Sequence, residues 1–269
     1  MQTEAHYANL FLEPIRKCKE YRPKFGVGAK SEGLSLGQFL GLYGADPFYA
    51  WIGLDSDLMY AAHKAAGGMT SVYRQIGIGC EHLFKAVLSD LAQYEKPEYA
   101  GWSYTTRTSA GQEKTLSLDG RLDLNLMKNT ALSARLRDWT EGYCKQISAA
   151  QIPANGVVFE VRQGYKSKDS KRQNADIDNA TVAWANGYLP VITVFSTQID
   201  GDLVLRYRNN RCGVLTGILS SDPFSSFFAF SEQVLGYDLA GFFRRNSLQF
   251  KDEIQSVLQT LLNPDGTAL

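Results

Sequence analysis

The sequence predicts an α/β chain built on a small mixed sheet, and three observations carry that prediction. Apolar residues recur at helical spacing from Val72 to Leu91, alternate with polar ones from Leu116 to Leu126, and fill all but Thr193 of the stretch from Leu189 to Phe195. Helical and extended periods therefore follow one another along the middle of the chain, as they do where helices pack on a sheet. The chain has 269 residues, 44% of them hydrophobic, which is enough apolar material for one substantial core. It reads as a single decorated domain over 1–269, with a core of about 70–200 and helical extensions at 1–69 and 201–269.

The first 66 residues are irregular, with glycines at 26, 28, 33, 37, 41, 44 and 53 and short helical patterns around Tyr7–Tyr21 and Asp57–Ala66. Gly26-Val27-Gly28-Ala29-Lys30-Ser31 has some letters of a phosphate loop, but alanine precedes the lysine and the leading glycine is misplaced, so a turn is the better reading. From Thr70, Val72, Ile76, Leu83, Phe84, Val87, Leu88 and Leu91 predict a long amphipathic helix, with an interruption near Gly77 and Gly79. After Lys96-Pro97-Glu98, the stretches Trp102–Thr108 and Lys114–Leu126 read as two strands joined by Ser109-Ala110-Gly111.

Leu132–Ala150 reads as a helix, with Leu136, Trp139, Tyr143 and Ile147 on one stripe, and Pro153-Ala154-Asn155-Gly156 stops it. Val157–Gln163 is a further strand. Asp169–Gly187 has helical spacing, with Ser167 and Asp169 as candidate caps, and Leu189–Ser196 is a buried strand. Asp202–Arg208 reads as a polar strand, and Phe224–Leu262 as a helical region whose phenylalanines at 227, 228, 230, 242 and 243 belong to the core or to a subunit contact, core being the default.

Lys plus Arg and Asp plus Glu both number 28, so net charge draws the chain to no particular polyanion or membrane, and any nucleic-acid contact has to come from a local patch. Cys18, Cys80, Cys144 and Cys212 lie too far apart for a zinc knuckle or a small disulfide framework and are expected as buried thiols. Of the three histidines, His82 follows Glu81 but lacks the second histidine of a zinc-protease helix. No basic start with an apolar run opens the chain and no apolar stretch reaches bilayer length, so the expectations are no membrane and a cytoplasmic location.

The chemistry lies in two acids set among apolar residues. Gly120-Arg121-Leu122-Asp123-Leu124 and Val158-Phe159-Glu160-Val161-Arg162 each bring a carboxylate into a strand, where burial is costly unless the group is paired or binds a cation. Alternation puts Val158, Glu160 and Arg162 on one face. Two carboxylates from neighbouring strands make a hard-oxygen site suited to Mg²⁺, and the chemistry implied is phosphodiester hydrolysis. Asp119 competes for the role of first acid, four residues earlier on the same face; Asp123 is preferred for its apolar surroundings.

Gly120–Leu124 followed by Phe159-Glu160-Val161-Arg162 resembles the active-site pattern of the PD-(D/E)XK nucleases, over about residues 70–200. The resemblance implies a restriction-endonuclease-like core of helix, three strands, helix and strand. It also implies that Asp123 and Glu160 are the metal ligands and that a lysine two positions after the second acid faces the scissile phosphate. Here that position holds Arg162, and leucine instead of proline precedes Asp123. Arginine can stabilise a transition state but not act as a base, so Lys166 and Lys168 are further candidates for the lysine's role. Glu81 resembles the extra acid that some restriction enzymes of this family bring from the first core helix.

Lys166, Lys168, Lys171 and Arg172 crowd one short run, followed by Gln173, beside the expected site. Such a run is a solvated face or a set of phosphate contacts. The resemblance implies a type II restriction endonuclease cutting double-stranded DNA, a homodimer, and a cognate DNA methyltransferase as functional partner. The alternatives are a repair, phage or junction-resolving nuclease on the same core, and a DNA-binding module with a decayed site.

Overall fold

The computed structural model describes residues 2–25, 32–107, 111–165 and 170–263. The Gly26–Ser31 turn, Ser109 and Ala110 of the hairpin turn, Lys166, Lys168 and the cap candidates Ser167 and Asp169 lie outside the described residues. Along the chain run helices α1 (Glu4–Arg16), α2 (Leu36–Gly44), α3 (Pro47–Trp51) and α4 (Asp57–Ala92), then strands β1 (Trp102–Arg107), β2 (Glu113–Leu118) and β3 (Gly120–Asp123). Next come α5 (Thr130–Gln146), β4 (Gly156–Arg162), α6 (Ser170–Ala185), β5 (Tyr188–Val194), α7 (Gly201–Asn209) and β6 (Gly213–Leu215). Helices α8 (Phe227–Phe230), α9 (Leu239–Arg245) and α10 (Ser247–Leu262) complete the order. This is a mixed α/β chain, and none of its described helices is long and apolar enough to cross a membrane.

The chain divides into two compact units, Met1–Ala8 with Cys80–Arg244 and Asn9–Gly79 with Arg245–Leu269. The second is helical. Arg16 of α1 binds Glu253 of α10 at 2.7 Å, and the Phe11 and Phe250 rings lie 5.1 Å apart. Helix α4 is continuous over 36 residues, which corrects the expected short helix at Asp57–Ala66 and the interruption near Gly77 and Gly79. Interior glycines each weaken a helix by about 1 kcal/mol relative to alanine. At Gly67, Gly68 and Gly79 the missing side chain leaves room for Tyr21, Leu261 and the Phe11 backbone, so packing offsets that cost.

The first unit carries two sheets, an antiparallel hairpin β1–β2 and a four-stranded sheet in the order β3-β4-β5-β6. In the larger sheet β3 runs antiparallel to β4, whereas β4, β5 and β6 are mutually parallel. All of β5 is buried, as is β4 up to Arg162, which accounts for their largely apolar composition around the buried Glu160 and Thr193. Val158 packs with Ala183 and Trp102 on one face, where Ile192, Val194 and Val214 meet Ala180, Leu203 and Tyr207. Phe159 points to the other face, its ring 5.2 Å from Phe84 and 5.9 Å from Phe230. The aromatic residues at 227, 230 and 242 are thus core, and the unit extends past the expected core limit of about 200.

Two strand expectations are corrected. Lys114–Leu126 is not one strand, because the chain changes partner at Asp119: β2 pairs with β1, and β3 pairs with β4. Asp202–Arg208 lies in helix α7. Leu203 and Tyr207, one turn apart, are buried, and the Asp200 side chain caps the start by accepting from the Asp202 N–H at 2.9 Å.

The register of β3 on β4 sets Gly120 opposite Phe159 and Asp123 opposite Gly156. Gly156 has φ +124°, and a Cβ there would collide with the Leu122 carbonyl oxygen. Gly156→Ala is expected to lower stability by about 1–3 kcal/mol from backbone strain alone, read by urea denaturation. A change of less than about 0.5 kcal/mol would show that this approach does not hold β3 in place.

Candidate functional site

Asp119, at the junction of β2 and β3, grips the two peptide groups that flank Glu160. Its N–H donates to the Phe159 carbonyl at 2.9 Å, and its Oδ2 accepts from the Val161 N–H at 2.8 Å. Glu160 itself is buried on the α6 face of β4 and forms an ion pair with Arg162. The second Nη of Arg162 donates to Asp176 Oδ1 at 3.1 Å, so one guanidinium fork spans two buried carboxylates. Asp176 Oδ2 also accepts from Tyr207 at 2.7 Å and Tyr165 at 3.2 Å. The buried Nε of Arg162 has no hydrogen-bond partner among the described residues.

Glu81 approaches from α4. It lines a cleft of about 390 Å³ with Asp119, Lys85, His82, Trp102 and Ser103. Burial pushes the Glu81 carboxyl from the ordinary 4.5 to about 7, and the Asp119 charge adds to the rise while Arg162 and Arg172 oppose it. Burial likewise raises Asp119, against the Val161 N–H, Arg162 and Lys85, which favour its charged form. Glu160 is raised by burial; Arg162 counters this, and Asp119, Asp176 and Glu81 reinforce it. Burial works against the charge on Arg162, but Glu160, Asp176 and Asp119 outweigh it and hold the guanidinium protonated.

The structure separates Asp123 from Glu160, correcting the expected pair. Asp123 stands opposite Gly156, four residues before Glu160, or roughly 13 Å along the strand. Its carboxylate is satisfied locally: Oδ2 accepts from Tyr188 at 2.7 Å and lies 3.7 Å from Arg121, and Oδ1 accepts from the Asn125 N–H at 2.9 Å. Burial and the Asp123 charge push the Tyr188 phenol up to about 12, so it remains a donor. The acid that faces Glu160 is Asp119, the competitor in the sequence, and Glu81 joins it in the cleft.

Arg162 is present but engaged at both Nη atoms, and Lys166 and Lys168 lie outside the described residues. Lys171 and Arg172 are exposed at the start of α6, and the charge of Arg172 reaches Glu81. The Gln173 side-chain oxygen accepts from Arg206. Lys85 and Asp176 were not legible as site residues by motif. Asp176 did carry a signal, because it sits on the stripe of α6 that Ala180 and Ala183 bury, and an acid on a buried stripe needs a partner.

Among the described residues no group of three or more His, Cys, Asp or Glu is arranged to hold a metal ion. Mg²⁺, however, takes one or two carboxylates together with water and phosphate oxygens. Burial raises Glu81, Asp119 and Glu160, and Arg162 opposes the rise at each of them without cancelling it. The hard-oxygen pair Asp119 and Glu160 therefore fits the ion chemically. No protein-family model, curated protein or solved structure matches this chain.

Because the folded state holds the Glu81 proton more tightly than the unfolded state, the stability associated with this group is greatest below about 4.5 and falls as pH rises to about 7. Glu81→Gln is expected to raise the thermal midpoint at pH 8 and to bring no gain at pH 4; equal midpoints at pH 8 would remove the charge conflict at this position. Asp123→Ala strands the buried Tyr188 hydroxyl and the Asn125 N–H, so urea denaturation is expected to show a loss of about 1–3 kcal/mol.

Proposed function

We propose that the chain is a magnesium-dependent endonuclease for double-stranded DNA, of the type II restriction kind, on a restriction-endonuclease-like core. The observation that carries the reading is that Asp119, which shares a cleft with Glu81, also grips the peptides flanking the buried Glu160, so that the charges of all three acids act on one another beside the Arg162 ion pairs. The resemblance around Glu160-Val161-Arg162 supports the same chemistry, with Asp119 in place of Asp123 as the first acid.

Asp119 and Glu160 would hold the ion, which when bound supplies Lewis acidity toward a phosphoryl oxygen and lowers the pKa of a water. Arg162 keeps Glu160 and Asp176 in fixed positions through its fork. Glu81, titrating at about 7, takes the proton that the attacking water releases. The water oxygen bonds to phosphorus, one bridging P–O bond breaks, and the departing oxygen takes a proton from solvent water while Glu81 later returns its own to solvent. Arg172 at the head of α6 contributes a phosphate contact near the same acids. The restriction reading carries with it a homodimer that cuts both strands, a cognate DNA methyltransferase, and a cytoplasmic location. A DNA-binding module on the same core is favoured by one observation, the engagement of both Nη atoms of Arg162.

Incubation of the protein with mixed DNA and Mg²⁺ separates these readings. A restriction enzyme yields discrete fragments, a repair, phage or junction-resolving nuclease yields a smear or structure-selective nicks, and a binder leaves intact DNA that shifts in a gel. Asp119→Asn and Glu160→Gln are each expected to slow cleavage roughly 100-fold or more while DNA binding in Ca²⁺ persists. Asp123→Asn retains the cleavage pattern. Loss of cleavage in Asp123→Asn alongside full activity in Asp119→Asn would move the centre to the other end of the strand.

A further inference from the structure

Lys85 follows Glu81 by one helical turn on α4, and both side chains line the cleft that Asp119 enters. The Lys85 side chain is exposed and makes no hydrogen bond or ion pair among the described residues. Its ammonium sits where the chain has no side chain to obstruct it: a Cβ on Gly101 would come within 2.8 Å of Lys85 Nζ. Ser103 and Ser117 offer hydroxyls along the same cleft. The charge of Lys85 is felt at Asp119, whose ionised form it favours. Arg162, by contrast, has both Nη atoms in ion pairs with Glu160 and Asp176.

We infer that Lys85 is the cation that contacts the scissile phosphate, a catalytic residue supplied by helix α4 in place of the strand position held by Arg162. The inference rests on the endonuclease reading. An ammonium is a compact point charge with three donors on a flexible stem, suited to a non-bridging phosphate oxygen on which negative charge builds. A guanidinium locked between two buried carboxylates cannot move to that oxygen without breaking its ion pairs with both. Placed beside Asp119, Lys85 offsets the repulsion between the acid cluster and an incoming phosphodiester, and Gly101 keeps the space for its tip open.

The test compares Lys85→Ala and Lys85→Arg with the wild type and with Lys166→Ala and Lys168→Ala. In Lys85→Ala, kcat is expected to fall roughly 100-fold with KM changed less than about threefold. In EDTA, where no cleavage occurs, the slope of log affinity against log salt should drop by about 0.9, one phosphate contact, and Lys85→Arg should restore it. The protein should remain folded, since the Lys85 side chain is exposed, and a small drop in thermal midpoint from the lost charge beside Asp119 should be restored in Lys85→Arg. Wild-type kcat in Lys85→Ala, an unchanged salt slope, or loss of activity only in Lys166→Ala or Lys168→Ala would each overturn the assignment. If the wild-type protein itself leaves DNA intact with Mg²⁺, the endonuclease reading fails and the assignment falls with it; a normal Lys85→Ala beside an active wild type removes Lys85 alone.

Discussion

The antiparallel pairing of β3 with β4 is the constraint on which the acid cluster depends. A slip of one residue would send every side chain of β3 to the opposite face, and a slip of two would carry Asp119 roughly 7 Å away from Glu160. No tight turn sets this register, because helix α5 intervenes between the two strands. It is held instead at both ends. Asp119 grips the peptides on either side of Glu160, and the backbone at Gly156 closes against Leu122. Phe159, wedged toward Phe84 and Phe230, anchors β4 between them.

The charges at that end of the sheet do not balance. Arg162 compensates Glu160 and Asp176, and removing it would leave two buried acids exposed to the full cost of burial, about 3–5 kcal/mol for breaking such a pair. Burial shifts Glu81 and Asp119 toward their protonated forms; a neighbouring acid adds to the shift at each, and Arg162 opposes it. A fold selected only for stability would place a neutral side chain at either position. Carboxylates held together against their mutual repulsion are a pattern of functional sites, where a cation or a transferred proton relieves the conflict.

Asp119 and Asp123 show how environment divides two acids on one segment. Asp123 has Tyr188, the Asn125 N–H and Arg121 around its carboxylate and shapes the turn that leads to α5. Asp119 has one N–H on one oxygen and faces a cleft shared with Glu81 and Lys85. The first is a structural knot; the second keeps capacity for a ligand.

The sequence by itself determined the α/β class, the helices and strands from Trp102 to Val194 to within a few residues, and the shared face of Val158, Glu160 and Arg162. Those follow from periodicity and alternation, which are local. It also singled out Glu81 and Glu160 as candidates through a resemblance. Only the tertiary structure decided that Asp119 and not Asp123 meets Glu160, that the Lys114–Leu126 stretch divides between two sheets, that Asp202–Arg208 is helical, that Asp176 pairs with Arg162, and that Lys85 shares a cleft with Glu81 and Asp119. Each of these depends on which surfaces come together across long stretches of chain. Pairing register and charge partners arise from contacts between distant segments, and residue spacing along the chain does not encode them.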